Sequence, residues 1–189
     1  MPRVAITIAT SQDVPDLVRF FRAVAAAEAA DDPAAAEQGE AGLRRSLEAW
    51  DFLRSDTCFL LLARLDVAPS KLTRMARADT ASGDQLASGG WAADSAPAGY
   101  LLAVRIPKAD PRVGFLFVDE VYVRPDYRRQ GVARALLERV QALAGELGLA
   151  GVRLLVREGN ETARALYRSS GFAEHETIFC QWQDDKMTS

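Results

Sequence analysis

The run from Val113 to Arg157 constrains the fold more than any other part of the chain. It opens with an apolar, β-branched stretch, Val113 to Val123, and closes with another, Gly151 to Arg157. Between them Val132, Leu136, Val140, Leu143 and Leu147 recur at helical spacing, and Gly148 stops the pattern. A strand, a helix and a strand joined by short connections form a right-handed crossover, so the two strands should lie parallel in one sheet. The stretch before them, Gly99 to Ile106, reaches Val113–Val123 through the turn Pro107 to Arg112, which predicts an antiparallel pair.

The remaining segments add to this sheet. Val4 to Thr10 alternates as a short strand, and Ser11, Gln12, Asp13 and Pro15 supply a cap and a first-turn proline for a helix over about Val14 to Ala30. Val14, Leu17, Val18, Phe21 and Val24 would form its packed face. Gly42 to Leu53 reads as a second amphipathic helix and Thr57 to Asp66 as a strand. From Val67 to Pro97 the pattern dissolves into Ala, Ser, Asp and Gly, which predicts a loop insertion that is mobile or functional. Thr162 to Ser170 is expected to be helical, with Gly171 ending it, and Glu176 to Gln183 to be a last strand. With 189 residues the chain fits a single domain over 1–189.

Lys and Arg number 23 against 26 Asp and Glu, so no global field favours nucleic acid. The densest apolar run, Cys58 to Ala63, is too short to cross a bilayer. The expectation is a cytoplasmic protein with neither nucleic acid nor membrane as partner. Cys58 and Cys180, the two cysteines, lie in strand-like runs and are expected as reduced, buried thiols. The sole histidine, His175, is given no role.

Chemistry concentrates in Val121-Tyr-Val-Arg-Pro-Asp-Tyr-Arg-Arg-Gln-Gly-Val-Ala-Arg134. A strand ends at Val123, a tight turn holds Pro125, and a helix starts near Gly131. Helix starts leave backbone N–H groups free and carry partial positive charge, so the turn is built to receive an anion. Arg124, Arg128, Arg129 and Arg134 gather there, against the acidic balance of the whole chain. The plain alternative, a structural turn with solvated arginines, stays open on these residues alone. Neither a G-x-G-x-x-G nor a P-loop is present.

Arg128-Arg-Gln-Gly-Val-Ala133, after a strand ending in Val121-Tyr-Val123, resembles the pyrophosphate-binding signature of the GNAT acetyltransferases. Asn160 and Ala165-Leu-Tyr-Arg-Ser-Ser-Gly-Phe172 are similar to the family's next block, in the same order and spacing. The resemblance implies an α+β fold, with a mixed, mostly antiparallel sheet of six or seven strands and helices on both faces. It implies acetyl-CoA as cosubstrate, no metal, and an amine acceptor. The segment Arg128, Arg129, Gln130, Gly131, Val132, Ala133 and Arg134 would form the cofactor site, with the amides of Arg129, Gly131, Ala133 and Arg134 on the pyrophosphate. Val123 would pair with the pantetheine arm, the Val121 N–H would polarise the thioester carbonyl, and Asn160 would hydrogen-bond the pantetheine. Tyr167 matches the tyrosine that protonates the departing thiolate. The insertion at 67–97 departs from the family, which makes a short turn there.

An alkyl amine has a pKa of about 10 and must lose a proton before it attacks. Asp119 and Glu120 adjoin Val121 and are the candidate bases. As strand neighbours they should face opposite sides, leaving one of them to serve. Resemblance to the spermidine/spermine branch favours Asp119. Either carboxylate could instead be a solvated strand-end charge. The sequence thus predicts an N-acetyltransferase working by direct attack in a ternary complex, with a non-catalytic acyl-CoA-binding domain as the rival. It leaves open the acceptor, the length of the acyl group, and whether the protein is a homodimer.

Overall fold

The expected strands pair into one five-stranded sheet: β1 (Arg3–Ile8), β2 (Cys58–Asp66), β3 (Pro97–Ile106), β4 (Phe115–Val123) and β5 (Val152–Leu154), in that order across it. The first three junctions are antiparallel and β4–β5 is parallel, as the crossover requires. The computed structural model describes residues 3–14, 16–18, 20, 21, 24, 55–66, 97–109 and 113–182. The expected helix at Gly42–Leu53 and almost all of the insertion at 67–97 lie outside them. The chain divides into two compact units, 1–155 and 156–189.

In the first unit the sheet is apolar on both faces. Leu60, Leu62 and Tyr100 point to one side, where Leu17 and Phe20 of the N-terminal helical residues pack on them. These residues are helical at 14, 16–18, 20, 21 and 24, and they follow a 3-10 turn at Ser11–Asp13. Thr10 caps the turn. Its backbone N–H donates to Asp13 Oδ2 at 2.8 Å while its hydroxyl accepts from the Gln12 N–H at 3.3 Å. Arg64 of β2 donates to Asp13 Oδ1 at 2.7 Å and to Thr7 at 2.9 Å, which ties the cap to the sheet. Burial pushes the Asp13 carboxyl up, but the Thr10 N–H and Arg64 outweigh it and hold the group below the usual carboxylate value.

Alternation along the same strands sends Leu61, Leu101, Ala103, Leu116 and Val118 to the other face, all buried. Helix α1 (Val132–Glu146), which touches β1 through β5, lies there. Val132, Leu136, Leu137, Val140, Leu143 and Ala144 form its buried stripe. Each leucine so buried is worth about 1.5–3 kcal/mol. Gly148, at φ 63°, ends the helix where the sequence places the stop. β5 is shorter than Gly151–Arg157, covering three residues.

The second unit holds helix α2 (Glu161–Ser169). Asn160 caps it, its side-chain oxygen accepting from the Ala163 N–H at 3.1 Å. At the other end Gly171 adopts φ 87°, the Phe172 N–H reaches the Tyr167 carbonyl at 3.0 Å and the Gly171 N–H reaches that of Arg168 at 3.1 Å. This is a Schellman motif, completed by the apolar contact between the Phe172 and Tyr167 rings, 5.9 Å apart. Arg164 and Arg168 each pair with both Glu161 and Glu174, fastening the segment after Gly171 to the helix.

The expected last strand at Glu176–Gln183 does not form: residues 173–182 carry no regular structure, and 183 lies outside the described residues. Its apolar alternation is real, but a strand exists only by pairing, and the described residues of the second unit include no strand to pair with it. Ile178 and Trp182 accordingly stand 89% and 85% exposed. Cys180 is exposed for the same reason, contrary to its expected burial, while Cys58 is half-buried; both thiols are free.

Candidate active site

The site starts from a mismatch in strand length. β5 pairs with β4 only at Leu116, Phe117 and Val118, so β4 runs on from Asp119 to Val123 without it. On its other side β4 pairs with β3 at every residue but Asp119, and the Arg124 N–H donates to the Ala98 carbonyl at 2.9 Å. Hydrogen-bonded positions alternate along an antiparallel pair. Val121 and Val123 therefore turn their N–H and C=O groups away from β3, toward the side that β5 leaves open. The Val123 carbonyl accepts from Arg128 Nε at 3.2 Å.

The open edge leads directly into the arginine-rich turn. Pro125–Tyr127 form a 3-10 turn, with the Arg124 guanidinium 5.0 Å over the Tyr127 ring and 3.8 Å from the Asp126 carboxylate. Gln130 donates to the Asp126 carbonyl at 2.8 Å. Arg129, at φ 60°, and Gly131, at φ 84°, flank Gln130 in left-handed conformations. Such alternation turns successive N–H groups toward one side and makes an anion-binding concavity. Glycine takes this conformation freely, but Arg129 does so at a cost of order 1–3 kcal/mol, a strain typical of ligand-binding turns. Helix α1 then starts at Val132 with neither a side-chain cap nor an acidic residue in its first turn. Its first internal bond runs from the Ala135 N–H to the Gly131 carbonyl. The N–H groups of Val132 and Ala133 therefore have no acceptor within the helix. Arg128, Arg129, Gln130, Gly131, Val132, Ala133 and Arg134 are thus one continuous turn and helix start, beside the edge that carries Val121 and Val123.

The carboxylates are arranged differently from the alternation rule. β3 and β4 slip register between Leu102 and Ala103, so that Leu102 faces Glu120 while Ala103 faces Val118. Asp119 is the extra residue of a β-bulge. Asp119 and Glu120 both oppose Leu102, and both lie on the face of Leu60, Leu62 and Tyr100. Side-chain interactions agree. The Tyr100 hydroxyl donates to Glu120 Oε2 at 2.8 Å. Burial, then the charge of Asp119, raises the thiol pKa of Cys58, whose side chain is on that same face. The expectation of opposite faces is therefore overturned. Tyr100 is the residue that sequence reasoning missed. Its signal was its place in a strand predicted to pair with the one bearing Asp119 and Glu120.

In the second unit, Asn160 spends its side-chain oxygen on the α2 cap. Tyr167 lies in the last turn before the Schellman motif, and burial raises its hydroxyl above the ordinary phenol value. That keeps it protonated and able to act as a donor through neutral pH.

A family model described as the acetyltransferase (GNAT) family matches residues 50–172. The chain belongs to the GNAT acetyltransferase family. Among curated proteins it is similar to the [ribosomal protein bS18]-alanine N-acetyltransferase of Escherichia coli (strain K12), 48% identical over 54 residues, 29% of this chain and 36% of that protein. It is also similar to the thialysine N-epsilon-acetyltransferase of Bos taurus, 32% identical over 56 residues, 30% of this chain and 33% of that protein. The match thus spans about a third of the length of each relative. Among solved structures, that of AAC(6')-Iy in complex with the bisubstrate analog CoA-S-monomethyl-acetylneamine matches with a TM-score of 0.60 and 15% identity, over 96% of this chain and 99% of that one. The ribosomal-protein-alanine N-acetyltransferase of Brucella melitensis biovar Abortus 2308 matches with a TM-score of 0.57 and 18% identity, over 96% and 100% of the two chains. These likenesses establish the GNAT fold, here with five strands among the described residues.

Proposed function

We propose that this chain is an acetyl-CoA-dependent N-acetyltransferase that acetylates an amine by direct attack. The observation that carries the reading is the unpaired edge of β4, with Val121 and Val123 facing outward, running straight into an uncapped, arginine-rich helix start. An extended chain ending in phosphates fits both parts: the arm adds to the strand edge as a further strand, and the phosphates meet N–H groups and a helix dipole. Arg129, Gly131, Ala133 and Arg134 would hold the pyrophosphate through their amides, and Val123 would hold the pantetheine. The Val121 N–H would receive the charge that develops on the carbonyl oxygen. Acetyl-CoA supplies an activated thioester. Asn160 and Tyr167 keep the roles given by resemblance, a pantetheine hydrogen bond and proton donation to the thiolate. The Asn160 oxygen serves as a helix cap, so its amide NH2 is the group assigned to the ligand.

For the base we assign Glu120 rather than Asp119. Glu120 adjoins Val121, and the Tyr100 hydroxyl fixes one of its oxygens. Asp119, on the same face, adds a second negative charge that favours an acceptor arriving as ammonium. The test is free-thiol release from acetyl-CoA with a panel of an alanine-terminated peptide, thialysine and neamine, the acceptor chemistries of similar proteins. Turnover with at least one amine that falls at least a hundredfold in Glu120→Gln is expected. Acetyl-CoA binding without turnover of any amine would favour the non-catalytic rival.

A further inference from the structure

The Tyr100 hydroxyl is a polar tip on a cluster of apolar and aromatic side chains. The residue is 9% exposed. Its ring stacks on that of Tyr122, 5.9 Å away and inclined by 23°. Edge-on contacts with Phe20 at 5.8 Å and Phe21 at 5.1 Å close off the remaining directions. A ring held on three sides has one rotamer, so its hydroxyl has one place to be. From there it donates to Glu120 Oε2 at 2.8 Å. Glu120 is exposed and sits where the bulge interrupts the strand. Left alone, its side chain would sample several rotamers in water.

We infer that Tyr100 is a positioning residue for the acetyl transfer: its buried phenol holds one oxygen of Glu120 so that the other is presented to the acceptor amine. The inference rests on Glu120 acting as the base. A carboxylate donated to through one oxygen keeps acceptor capacity on the other, which takes the proton from the ammonium group before attack. No bond to Tyr100 forms or breaks. Its contribution is orientation, the kind of effect that acts on kcat more than on binding of the donor. The aromatic cluster thereby links the N-terminal helical residues, through Phe20 and Phe21, to the chemistry.

The test is a double-mutant cycle on the full chain with Tyr100→Phe, Glu120→Gln and the pair, using the panel amine that gives the fastest thiol release. Tyr100→Phe keeps the ring contacts and removes only the donor. It is expected to lower kcat about tenfold with the acetyl-CoA KM unchanged, and to add nothing in the Glu120→Gln background, because the phenol then has no base to orient. A merely structural phenol would lower the melting temperature and multiply its effect into that of Glu120→Gln. A large loss in Glu120→Gln with wild-type kcat in Tyr100→Phe, or with independent effects in the pair, would overturn the positioning role and leave the base intact. Wild-type kcat in Glu120→Gln would overturn the base itself.

Discussion

Replacing Gly99 with alanine should injure both the fold and the site, and the structure sets the size of the effect. Gly99 lies opposite Val123, where β3 and β4 leave no room for a side chain at 99. A Cβ there would fall 2.4 Å from the Tyr122 carbonyl oxygen, 3.1 Å from Val123 Cα and 3.2 Å from Val123 Cγ2. Carbon to carbonyl-oxygen contacts between strands ordinarily run about 3.3–3.6 Å, so the strands would have to part by about 1 Å. The atoms in the way are mostly backbone, so no side-chain rotation relieves the clash. Overpacking of this kind costs about 1–3 kcal/mol. For a chain of this length that is a fall in melting temperature of about 2–12 °C. The shift moves the Val121–Val123 edge, and a displacement of about 1 Å at a reacting group can cost about a hundredfold in kcat/KM. Thermal unfolding and the kcat/KM of free-thiol release from acetyl-CoA by Gly99→Ala measure the two losses. Gly145→Ala is the comparator. Nothing lies within 4 Å of its added Cβ, near the end of α1, so it should gain about 0.5–1 kcal/mol. A Gly99→Ala protein that melts with the wild type and keeps the wild-type kcat/KM would refute the close strand approach.

Two further outcomes follow from the donor site and from the second unit. Gly131 has φ 84° and open space around its added Cβ, so Gly131→Ala should cost about 1–2 kcal/mol of backbone strain while retaining acetyl-CoA binding, and Gly131→Glu should lose binding through its charge; equal affinities for both variants by calorimetry would remove the phosphate assignment. Tyr167→Phe keeps the contact with Phe172 and should lower kcat about a hundredfold at unchanged acetyl-CoA KM. Because burial raises the Tyr167 hydroxyl, the neutral donor persists up to its unperturbed value of about 10 and is lost only above it; an alkaline limb in the wild-type rate below about pH 9 that vanished in the variant would contradict this.

What could be read from the sequence was what depends on one segment at a time. Helix α1, its stop at Gly148 and the close of α2 at Gly171 follow from spacing and from glycine's freedom at positive φ, and they stand within a residue or two of expectation. The turn at Pro125 and the helix start after Gly131 were legible because both are local, set by a proline and a glycine in one run. The misses concern pairing. The bulge at Asp119 exists only in the relation between β3 and β4, and alternation counted along β4 by itself put Glu120 on the wrong side of its neighbour. Glu176–Gln183 has the composition of a strand, but composition does not state pairing, and 176–182 carry no regular structure. Tyr100 looked like one more apolar residue of β3 until its register placed it diagonal to Glu120.

The bulge has a further effect on how β4 can vary. Before Asp119 the even-numbered positions Leu116 and Val118 are the ones sealed in, 0% and 4% exposed. After it, even-numbered Glu120 and Tyr122 belong to the Tyr100 side, and odd-numbered Val121 sits opposite Leu101. One inserted residue shifts the phase of the strand by half a period, so its two halves answer to separate demands. The first half is fixed by the volume under α1; in the second, Tyr122 is held by its stack on Tyr100 and its edge contact with Phe20, while Glu120 stays exposed. A substitution at Glu120 can therefore change the exposed surface with little effect on the packed rings. Removing Asp119 would take out the extra residue and leave Glu120 opposite Leu102, with each later side chain on the side it now holds. What the strand would lose is the bend and the added twist of the bulge.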